Sequence, residues 1–450
     1  MSDLTPHQAE AARGILKCMT GQTDHRQAVL AGVAGSGKTF TVGHIVKALV
    51  DKNYSVHLCA HAHTAVGQLR AALPESVRGA VGTSTIYAAL GWRFNPKTQS
   101  AQAGGAHKMS GVDVVVVDES SMVDEGMYEA FARMAEDNDE NDPTTSGVRV
   151  LWVGDPAQLP PVSRDNSVIE SPVFMRVQHQ HRLSEVVRQA EGSPIIRASM
   201  YVRECLESGR KPDIRELVER AGDDNRVTVT GGGIAQVASY TASAIQAGMD
   251  ARAVAFRNKT IDKISRMIAQ SMHPPGAERL VVGDPVTFGT RYGDTVHTNT
   301  NATVTSVTDH PDENMACLKV SLSVDGGSVV DNVVTPRDLE DLRRINRVLK
   351  NTHDRGKRAE RSARQAGDGP AAIAAQQEYY RAGEALEEVS SHYADLRLLY
   401  SMTAHKSQGS TFETAVIDWQ DMQACSDLQT MCRLLYVAVT RPSKFLIIVE

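Results

Sequence analysis

Short apolar runs rich in Val, Leu and Ala recur along the chain and alternate with stretches in which apolar residues stand three and four positions apart. A continuous apolar run predicts a strand buried on both faces of a parallel sheet, and the three-four spacing predicts the helices between such strands. The strands predicted in this way are residues 29–31, 56–60, 112–117, 149–153, 252–256, 415–418 and 445–449. The alternation of strand and helix predicts an α/β fold with two parallel sheets.

The chain between residues 280 and 399 departs from this pattern. Residues 280–322 contain many short β-like stretches with turns, which predict a small barrel or sheet. Residues 336–399 are rich in Ala, Arg, Glu and Leu and predict two long helices, broken near residues 367–370 by Gly and Pro. The second α/β sheet is therefore predicted to be interrupted by an insert at residues 281–394.

Composition does not change the predicted helices and strands, but it limits the class of protein. A chain of 450 residues with 41% hydrophobic residues is long enough for about three domains. The six cysteines form no C-x-x-C pair, which favours free thiols in a reducing compartment. No apolar run approaches the length of a membrane span, and the polar N-terminus does not resemble a signal peptide. The net charge of −6 means that any binding of nucleic acid must depend on a local surface.

Residues 32–39, GVAGSGKT, fit the pattern G-x-x-x-x-G-K-T between a predicted strand and a predicted helix. In such a phosphate loop, Gly35, Ser36 and Gly37 turn backbone N–H groups towards an anion. Lys38 then reaches the β- and γ-phosphates, and the Thr39 hydroxyl can bind Mg²⁺. The alternative is a tight strand-to-helix turn with an exposed lysine. The flanking strand and helix favour the phosphate loop, so ATP and Mg²⁺ are the predicted ligands.

Two acidic residues, Asp118 and Glu119, follow the valine-rich strand 112–117. The carboxyl ends of parallel strands are where such sheets bind ligands. Asp118 is predicted to hold Mg²⁺, and Glu119 to orient or deprotonate an attacking water. Gln158 follows the next strand in a Pro-rich loop and is predicted to sense a γ-phosphate.

Two polar segments near the first strands suggest further contacts. Thr5 and Pro6 predict the start of a helix, which would bring Gln8 near a bound nucleotide base. His61 and His63 could suggest a metal, but no third ligand is nearby. A strand-end loop presenting His63 and Thr64 suits contact with nucleic-acid bases and phosphate better.

Taken together, these motifs resemble those of superfamily 1 helicases of the B-type subclass, in particular the Dda-like, RecD-like and Pif1-like groups. The resemblance covers almost the whole chain, in the order of the family. It matches Gln8 to an adenine-reading glutamine, residues 118–122 (DESSM) to D-E-x-S-M, and residues 154–162 to G-D-x-x-Q-L-P-P-V. Arg188 stands at the first γ-phosphate arginine. Residues 403–409 (TAHKSQG) and 436–441 (YVAVTR) match the last two motifs, with Gly409 beside the nucleotide and Arg441 as the second arginine.

The resemblance also implies a domain order. Residues 1–82 and 112–177 would form one RecA-like motor domain, and residues 178–280 and 395–450 the second. Residues 83–111 would form a small hairpin or wedge insert, and residues 281–394 an SH3-like insert with a helical arm. The residues implied in DNA binding are His63, Thr64, Thr85, Trp92, Phe94, Pro96, Asn258, Thr403 and His405.

The function implied by the resemblance is that of an ATP-dependent helicase that moves 5′ to 3′ on single-stranded DNA and unwinds duplex in replication, recombination or repair. Its partners would be single-stranded DNA and duplex junctions, with single-stranded DNA-binding or replisome proteins. The expectation is a monomer without a membrane partner, in the cytoplasm of a bacterial or phage-infected cell. For the basic stretch 355–364, a solvated helix face is the default and DNA contact the alternative.

Two other functions stay open at this point. One is an RNA-directed translocase, or one that displaces proteins with little unwinding. The other is a non-catalytic ATP-binding subunit that binds nucleic acid. The non-catalytic function is disfavoured by the presence of Glu119, Gln158, Arg188 and Arg441. A catalytically inactive site would not need these residues.

Overall fold

The computed structural model describes residues 3–61, 63–95, 100–103, 109–136, 147–161, 170–187, 192–222, 224–293, 296, 298–324 and 327–450. For residues 63–64, 93–95 and 100–103 it describes the backbone alone. The chain divides into two compact units. The first contains residues 1–93, 102–264 and 402–450, and the second contains residues 94–101 and 265–401.

The first unit contains a six-stranded sheet in the order β3-β2-β6-β7-β1-β8, in which every neighbouring pair is parallel. Its strands are β1 (Gln27–Gly32), β2 (Val56–Ala60), β3 (Gly82–Thr85), β6 (Val114–Val117), β7 (Arg149–Gly154) and β8 (Gln180–Leu183). The helices of this segment are Pro6–Met19, Lys38–Val50, His63–Ala71, Glu75–Arg78, Ile86–Ala89, Glu125–Met134 and Val173–Arg176, with a 3₁₀ turn at Ser120–Met122. All four residues of β6 are buried because apolar clusters cover both faces of the sheet.

A second sheet of the same unit has the order β16-β10-β17-β18-β9. Its strands are β9 (Val227–Thr230), β10 (Ala251–Ala255), β16 (Ser401–Thr403), β17 (Phe412–Asp418) and β18 (Pro442–Val449), and the pairings between β10, β17, β18 and β9 are parallel. The helices here are Pro194–Ser208, Ile214–Ala221, Gly233–Gln246, Asn258–Met272, Ala404–Ser407, Trp419–Gln423 and Leu428–Val439. Helix Leu428–Val439 is buried along nine consecutive residues because it packs into the main cluster of this sheet.

The second unit contains an antiparallel five-stranded sheet in the order β14-β13-β12-β11-β15. Its strands are β11 (Pro285–Phe288), β12 (Asn301–His310), β13 (Cys317–Val324), β14 (Val329–Pro336) and β15 (Leu396–Leu398). Helices Leu339–Gln365 and Gly369–His392 lie between β14 and β15 in the chain. Gly356 allows them to pack closely, since a Cβ there would lie 3.0 Å from the Tyr379 backbone nitrogen.

The remaining strands, β4 (Trp92–Asn95) and β5 (Ser100–Ala103), form a two-stranded sheet. The prediction of an α/β fold with two parallel sheets is confirmed, as is the pair of long helices broken near residue 367. The domain boundaries and the SH3-like character of the insert stay predictions. Among the described residues, no helix has both the length and the apolar character needed to cross a membrane.

One local prediction is wrong. His63 and Thr64 do not lie in a strand-end loop but form the first turn of helix His63–Ala71. The connection from β2 to its parallel neighbour β3 must cross over a face of the sheet, and the crossover helix begins three residues after β2 ends.

Candidate nucleotide-binding site

The phosphate loop joins the end of β1 to helix Lys38–Val50, as predicted. Gly35 and Gly37 have φ values of 75° and 77°, in the left-handed region that favours glycine. Space is also restricted, because a Cβ on Gly37 would lie 2.4 Å from the Gln8 amide nitrogen. The Ser36 hydroxyl donates to the Val33 carbonyl at 2.8 Å and closes the loop from inside.

Lys38 lies across the loop that carries it. Its Nζ donates to the carbonyl oxygens of Gly32 at 2.8 Å and Val33 at 3.1 Å. An ammonium group has three N–H donors, so a further acceptor such as a phosphate oxygen can be added to these two. Thr39 is exposed in the first turn of the helix.

Gln8 lies directly against the phosphate loop and is buried, with 3% of its surface exposed. Its amide nitrogen donates to the Ser36 carbonyl at 2.9 Å, and its amide oxygen accepts from the Thr5 N–H at 3.1 Å. The Thr5 hydroxyl accepts from the Gln8 N–H in return, which completes a capping box at the start of helix Pro6–Met19. Gln8 therefore stabilises the phosphate loop by a hydrogen bond. Its recognition of adenine stays a prediction.

Asp118 and Glu119 stand at the carboxyl end of β6, beside the phosphate loop. Burial, together with the charge of Glu119, raises the pKa of Asp118 to about 7, while the charge of Lys38 acts to lower it. Glu119 has φ 54° and ψ 41°, a left-handed conformation for a residue with a side chain. Such strain costs on the order of 1–3 kcal/mol and concentrates at functional sites.

Gln408, from the segment after β16, connects the second sheet to these acids. Its Nε2 lies 3.0 Å from the Ser121 hydroxyl, 3.1 Å from Gln158 Oε1 and 3.4 Å from Glu119 Oε2. Gly409 follows with φ 73°, and a Cβ there would lie 3.7 Å from Glu119 Oε1. The predicted residues Glu119, Gln158 and Gly409 are therefore brought together.

These residues fit a nucleoside triphosphate with Mg²⁺. A Cβ on Gly32 would collide with Ser36, and one on Gly37 with Gln8, so the loop keeps a path in which its backbone N–H groups can face phosphates only with glycine at these positions. A divalent cation beside Asp118 would stabilise its ionised form, which burial disfavours. Mg²⁺ needs only one or two protein ligands when phosphates supply the others. Thr39 and Asp118 would hold it.

Arg441 is buried at the end of helix Leu428–Val439, with 7% of its surface exposed. It donates to the carbonyls of Val437 at 2.9 Å and Ser410 at 3.1 Å, and to the Thr440 hydroxyl at 2.9 Å. Burial lowers its pKa, while the charge of Glu119 acts to raise it. The charge of Glu119 therefore affects Arg441, although the hydrogen bonds of its guanidinium go to its own helix end and to the segment after Gln408.

A buried network that the sequence did not indicate lies beside the loop. The Tyr436 hydroxyl donates to Asp155 Oδ2 at 2.6 Å and accepts from the Ala34 N–H of the phosphate loop at 3.1 Å. Arg203 Nη1 donates to Asp155 Oδ1 at 2.8 Å. Burial acts to lower the pKa of Arg203, but Asp155 and Tyr436 together outweigh burial and raise this pKa. The network joins the loop and β7 to two helices of the second sheet.

Arg433, on the same helix as Tyr436, holds the loop that carries Gln158. Its Nη1 donates to the Gln158 carbonyl at 3.2 Å, and its Nη2 donates to Glu170 Oε1 at 2.6 Å. Val187 donates its N–H to the Gly35 carbonyl at 3.1 Å. The segment that leads to Arg188 is therefore anchored on the phosphate loop.

We expect Arg203→Met to lower the free energy of unfolding of the first unit by about 3–5 kcal/mol, because Asp155 is then left buried without its charged partner. The three tryptophans, Trp92, Trp152 and Trp419, all belong to this unit, so denaturation followed by tryptophan fluorescence reports on it. Glu207→Gln is the matched control, since it removes the other, exposed partner of Arg203 and should cost less than about 1 kcal/mol. Equal effects of the two changes would contradict the importance of the buried pair.

Several residues predicted to contact DNA have described side chains. Thr85 and Thr403 each cap a short helix through the side-chain hydroxyl. Asn258 is exposed at the start of helix Asn258–Met272, and burial lowers the pKa of the half-buried His405. The half-buried ring of Trp92 lies 6.3 Å from that of Tyr87 between ring centroids.

The other residues predicted to bind DNA or phosphate lie outside the described side chains. Pro96 and Arg188 lie outside the described residues, and for His63, Thr64 and Phe94 only the backbone is described. The roles of all these residues in DNA binding, and of Arg188 in phosphate binding, stay predictions.

Two domain families match the sequence. The AAA domain family matches residues 3–232, just over half of the chain, and the UvrD-like helicase C-terminal domain matches residues 398–449. The uncharacterized protein R530 of Acanthamoeba polyphaga mimivirus is 27% identical over 37% of this chain and 35% of its own length. The ATP-dependent RecD2 DNA helicase of Deinococcus radiodurans is 27% identical over 39% of this chain, which is 21% of that protein. The matches thus span about a third and a fifth of these relatives.

Solved structures show the same fold. The Pif1 helicase of Candida albicans has a TM-score of 0.51 at 15% identity, over 100% of this chain and 95% of that one. The Bacteroides Pif1 helicase in complex with ADP-AlF3 and single-stranded DNA has a TM-score of 0.52 at 16% identity, over 99% of this chain and 92% of that one. The two domain matches follow the order of the two sheets, and the fold is similar to that of the Pif1 helicases. The chain belongs to the AAA domain family.

Proposed function

We propose that this protein is an ATP-dependent DNA helicase, in which single-stranded DNA stimulates ATP hydrolysis. The observation that carries the proposal is the position of Gln408, which comes from the second sheet and contacts Glu119, Ser121 and Gln158 of the first. A site that only stores nucleotide would not need a side chain from another sheet beside its water-activating acid. The relatives described as DNA helicases support the same assignment.

The residues divide the chemistry between them. The loop N–H groups and Lys38 bind the phosphates. Thr39 and Asp118 would hold Mg²⁺, which would supply positive charge beside the transferred phosphoryl group. Glu119 accepts a proton from the attacking water or orients it. Gln158 lies at hydrogen-bonding distance from Gln408, so a change at the γ-phosphate can alter a contact between the two sheets.

Hydrolysis would be coupled to movement through the same contacts. Arg188 and Arg441 would approach the γ-phosphate when the two sheets close around ATP, and would withdraw after hydrolysis. We assign residues 1–82 with 112–177 to the first motor domain and residues 178–280 with 395–450 to the second. If the DNA-contacting segments move with these domains, each cycle shifts the protein along one strand.

The direction of movement gives a direct test. We expect the protein to unwind a duplex with a 5′ single-stranded tail and to leave a duplex with only a 3′ tail largely intact, measured by release of a labelled strand with ATP and Mg²⁺. Lys38→Ala provides the control, because it removes the phosphate-binding ammonium group without altering the DNA contacts. Unwinding that requires a 3′ tail would contradict the proposed polarity, and stimulation by RNA but not by DNA would contradict the proposed substrate.

A further inference from the structure

Helix Leu339–Gln365 carries an unusual concentration of positive charge. It contains nine Lys and Arg against four Asp and Glu, a net charge of +5 in a chain whose net charge is −6. Its neighbour, helix Gly369–His392, has one Arg against four Glu. The positive charge therefore belongs to one helix rather than to the second unit as a whole.

The cations of this helix form two groups. Some are held by acidic or carbonyl partners: Arg344 pairs with Asp341 at 3.4 Å, Arg355 with Glu378 at 2.6 Å, and Arg358 donates to the Asp354 carbonyl at 3.3 Å. Others are exposed and have no hydrogen-bond or ion-pair partner among the described residues; they are Arg347, Lys350, Lys357 and Arg361.

The four unpartnered cations lie along one side of the helix. Their spacings of three, seven and four residues place Lys350, Lys357 and Arg361 within about 40° of one another around the axis, and Arg347 at about 60° from Lys350. We call these four residues the basic stripe. Asp354 shares the sector, and its carboxylate faces His353 Nδ1 at 3.3 Å. Free ammonium and guanidinium groups in a row provide a site for a regular series of anions.

We propose that the basic stripe binds the phosphate backbone of duplex DNA; this inference rests on the proposed DNA helicase function. The stripe extends over about 21 Å of helix, which corresponds to about six base pairs of B-DNA. Between residues 347 and 361 the only aromatic ring on this helix is that of His353, which is buried, so the stripe has no exposed ring on which a base could stack. Proteins that grip single strands combine positive charge with aromatic stacking, whereas contacts to phosphates alone suit the regular backbone of a duplex.

The helix is also supported as a rigid element. Gly356 packs against the Tyr379 backbone, and the rings of His353 and Tyr379 lie 4.5 Å apart between centroids. Leu342 and Tyr393 fix the base of the helix pair against β13 and β14. The stripe therefore keeps its spacing on a supported helix, so binding a duplex would not require the arm to fold first.

The test compares two triple variants of the full-length protein. The stripe variant is Lys350→Gln, Lys357→Gln and Arg361→Gln. The control variant is Arg344→Gln, Arg355→Gln and Arg358→Gln, which removes the same charge from the same exposed helix. The probe is a fluorescein-labelled blunt-ended DNA duplex without a tail, and its binding is measured by fluorescence anisotropy between about 50 and 200 mM salt.

We expect the stripe variant to bind the duplex at least about tenfold more weakly at low salt and to reduce the slope of log affinity against log salt by about 2–3. The control variant should resemble the original protein, and ATPase stimulation by single-stranded DNA should be unchanged in both. Equal duplex affinities and slopes for the two variants would overturn the inference. If the stripe variant lost as much affinity for single-stranded DNA as for the duplex, the assignment to duplex DNA would be overturned. Absence of DNA-stimulated ATPase in the original protein would instead contradict the proposed function, and duplex binding would still test the stripe.

Discussion

Replacement of Glu119 by Gln should lower DNA-stimulated ATP turnover by about 10²–10⁴-fold, the usual contribution of a positioned general base. The amide has the shape of the carboxylate but cannot accept the proton of the attacking water. The strained backbone at φ 54° holds this side chain beside Gln408 and Gly409, and Gln preserves that packing. Nucleotide binding should therefore remain close to that of the original protein.

The measurement is steady-state ATPase with saturating single-stranded DNA, together with titration of a fluorescent ATP analogue. Glu125→Gln is the matched control, because Glu125 is a nearby exposed acid that pairs only with Arg176 on the surface among the described residues. Turnover near the original level in Glu119→Gln would remove Glu119 from its assigned role. A loss of nucleotide affinity as large as the loss of turnover would indicate that Glu119 acts mainly in binding.

The nucleotide-binding half of the site could be predicted from the sequence because it depends on local order. A phosphate loop needs a strand, a turn containing glycine and a helix in succession, and β1, residues 33–37 and helix Lys38–Val50 supply them. Asp118 and Glu119 follow a strand of four buried valines, and a strand buried on both faces must lie inside a sheet.

Other features depend on residues that are distant in sequence, and no local pattern indicates them. Arg203 stands on an ordinary amphipathic helix, and its buried position follows from Asp155, 48 residues earlier. The contact of Gln408 with Gln158 spans 250 residues. The basic stripe likewise could not be predicted from local sequence. Its helix could be predicted, but the pairing of Arg355 depends on Glu378 of the neighbouring helix Gly369–His392.

Hydroxyl groups were the least predictable part of the proposed DNA-binding set. Thr85 and Thr403 each precede a short helix and accept a hydrogen bond from a backbone N–H of its first turn. Threonine is a common N-cap residue, so this structural use explains both residues without DNA. Each hydroxyl accepts the capping hydrogen bond and keeps its own O–H as a donor, so a contact with a DNA phosphate is compatible with the capping role.

Arg441→Ala should lower ATP turnover by about 10³–10⁵-fold with little loss of nucleotide affinity, if Arg441 acts as an arginine finger. In the present arrangement its guanidinium donates to Val437, Ser410 and Thr440. A guanidinium has five N–H donors, and Nη2 makes one hydrogen bond, to Thr440, so its second N–H can donate to a γ-phosphate oxygen during closure. The charge of Glu119 favours the protonated form of Arg441. The stabilising contact between Arg441 and the phosphate would therefore arise in the transition state more than in the bound ground state.

Because Arg441 also satisfies carbonyl groups, the variant must be separated from a simple loss of structure. Arg197→Ala is the control, since Arg197 likewise donates to main-chain carbonyls of the second-sheet segment, at Ala221 and Gly192, and has no hydrogen bond or ion pair with Glu119 among the described residues. Tryptophan fluorescence should show similar denaturation midpoints for both variants, while only Arg441→Ala loses turnover. Arg441→Lys should recover little of it, because an ammonium group lacks the planar fork that can hold a carbonyl and a phosphate oxygen together. A large loss of nucleotide affinity with unchanged turnover would make Arg441 a ground-state binding residue.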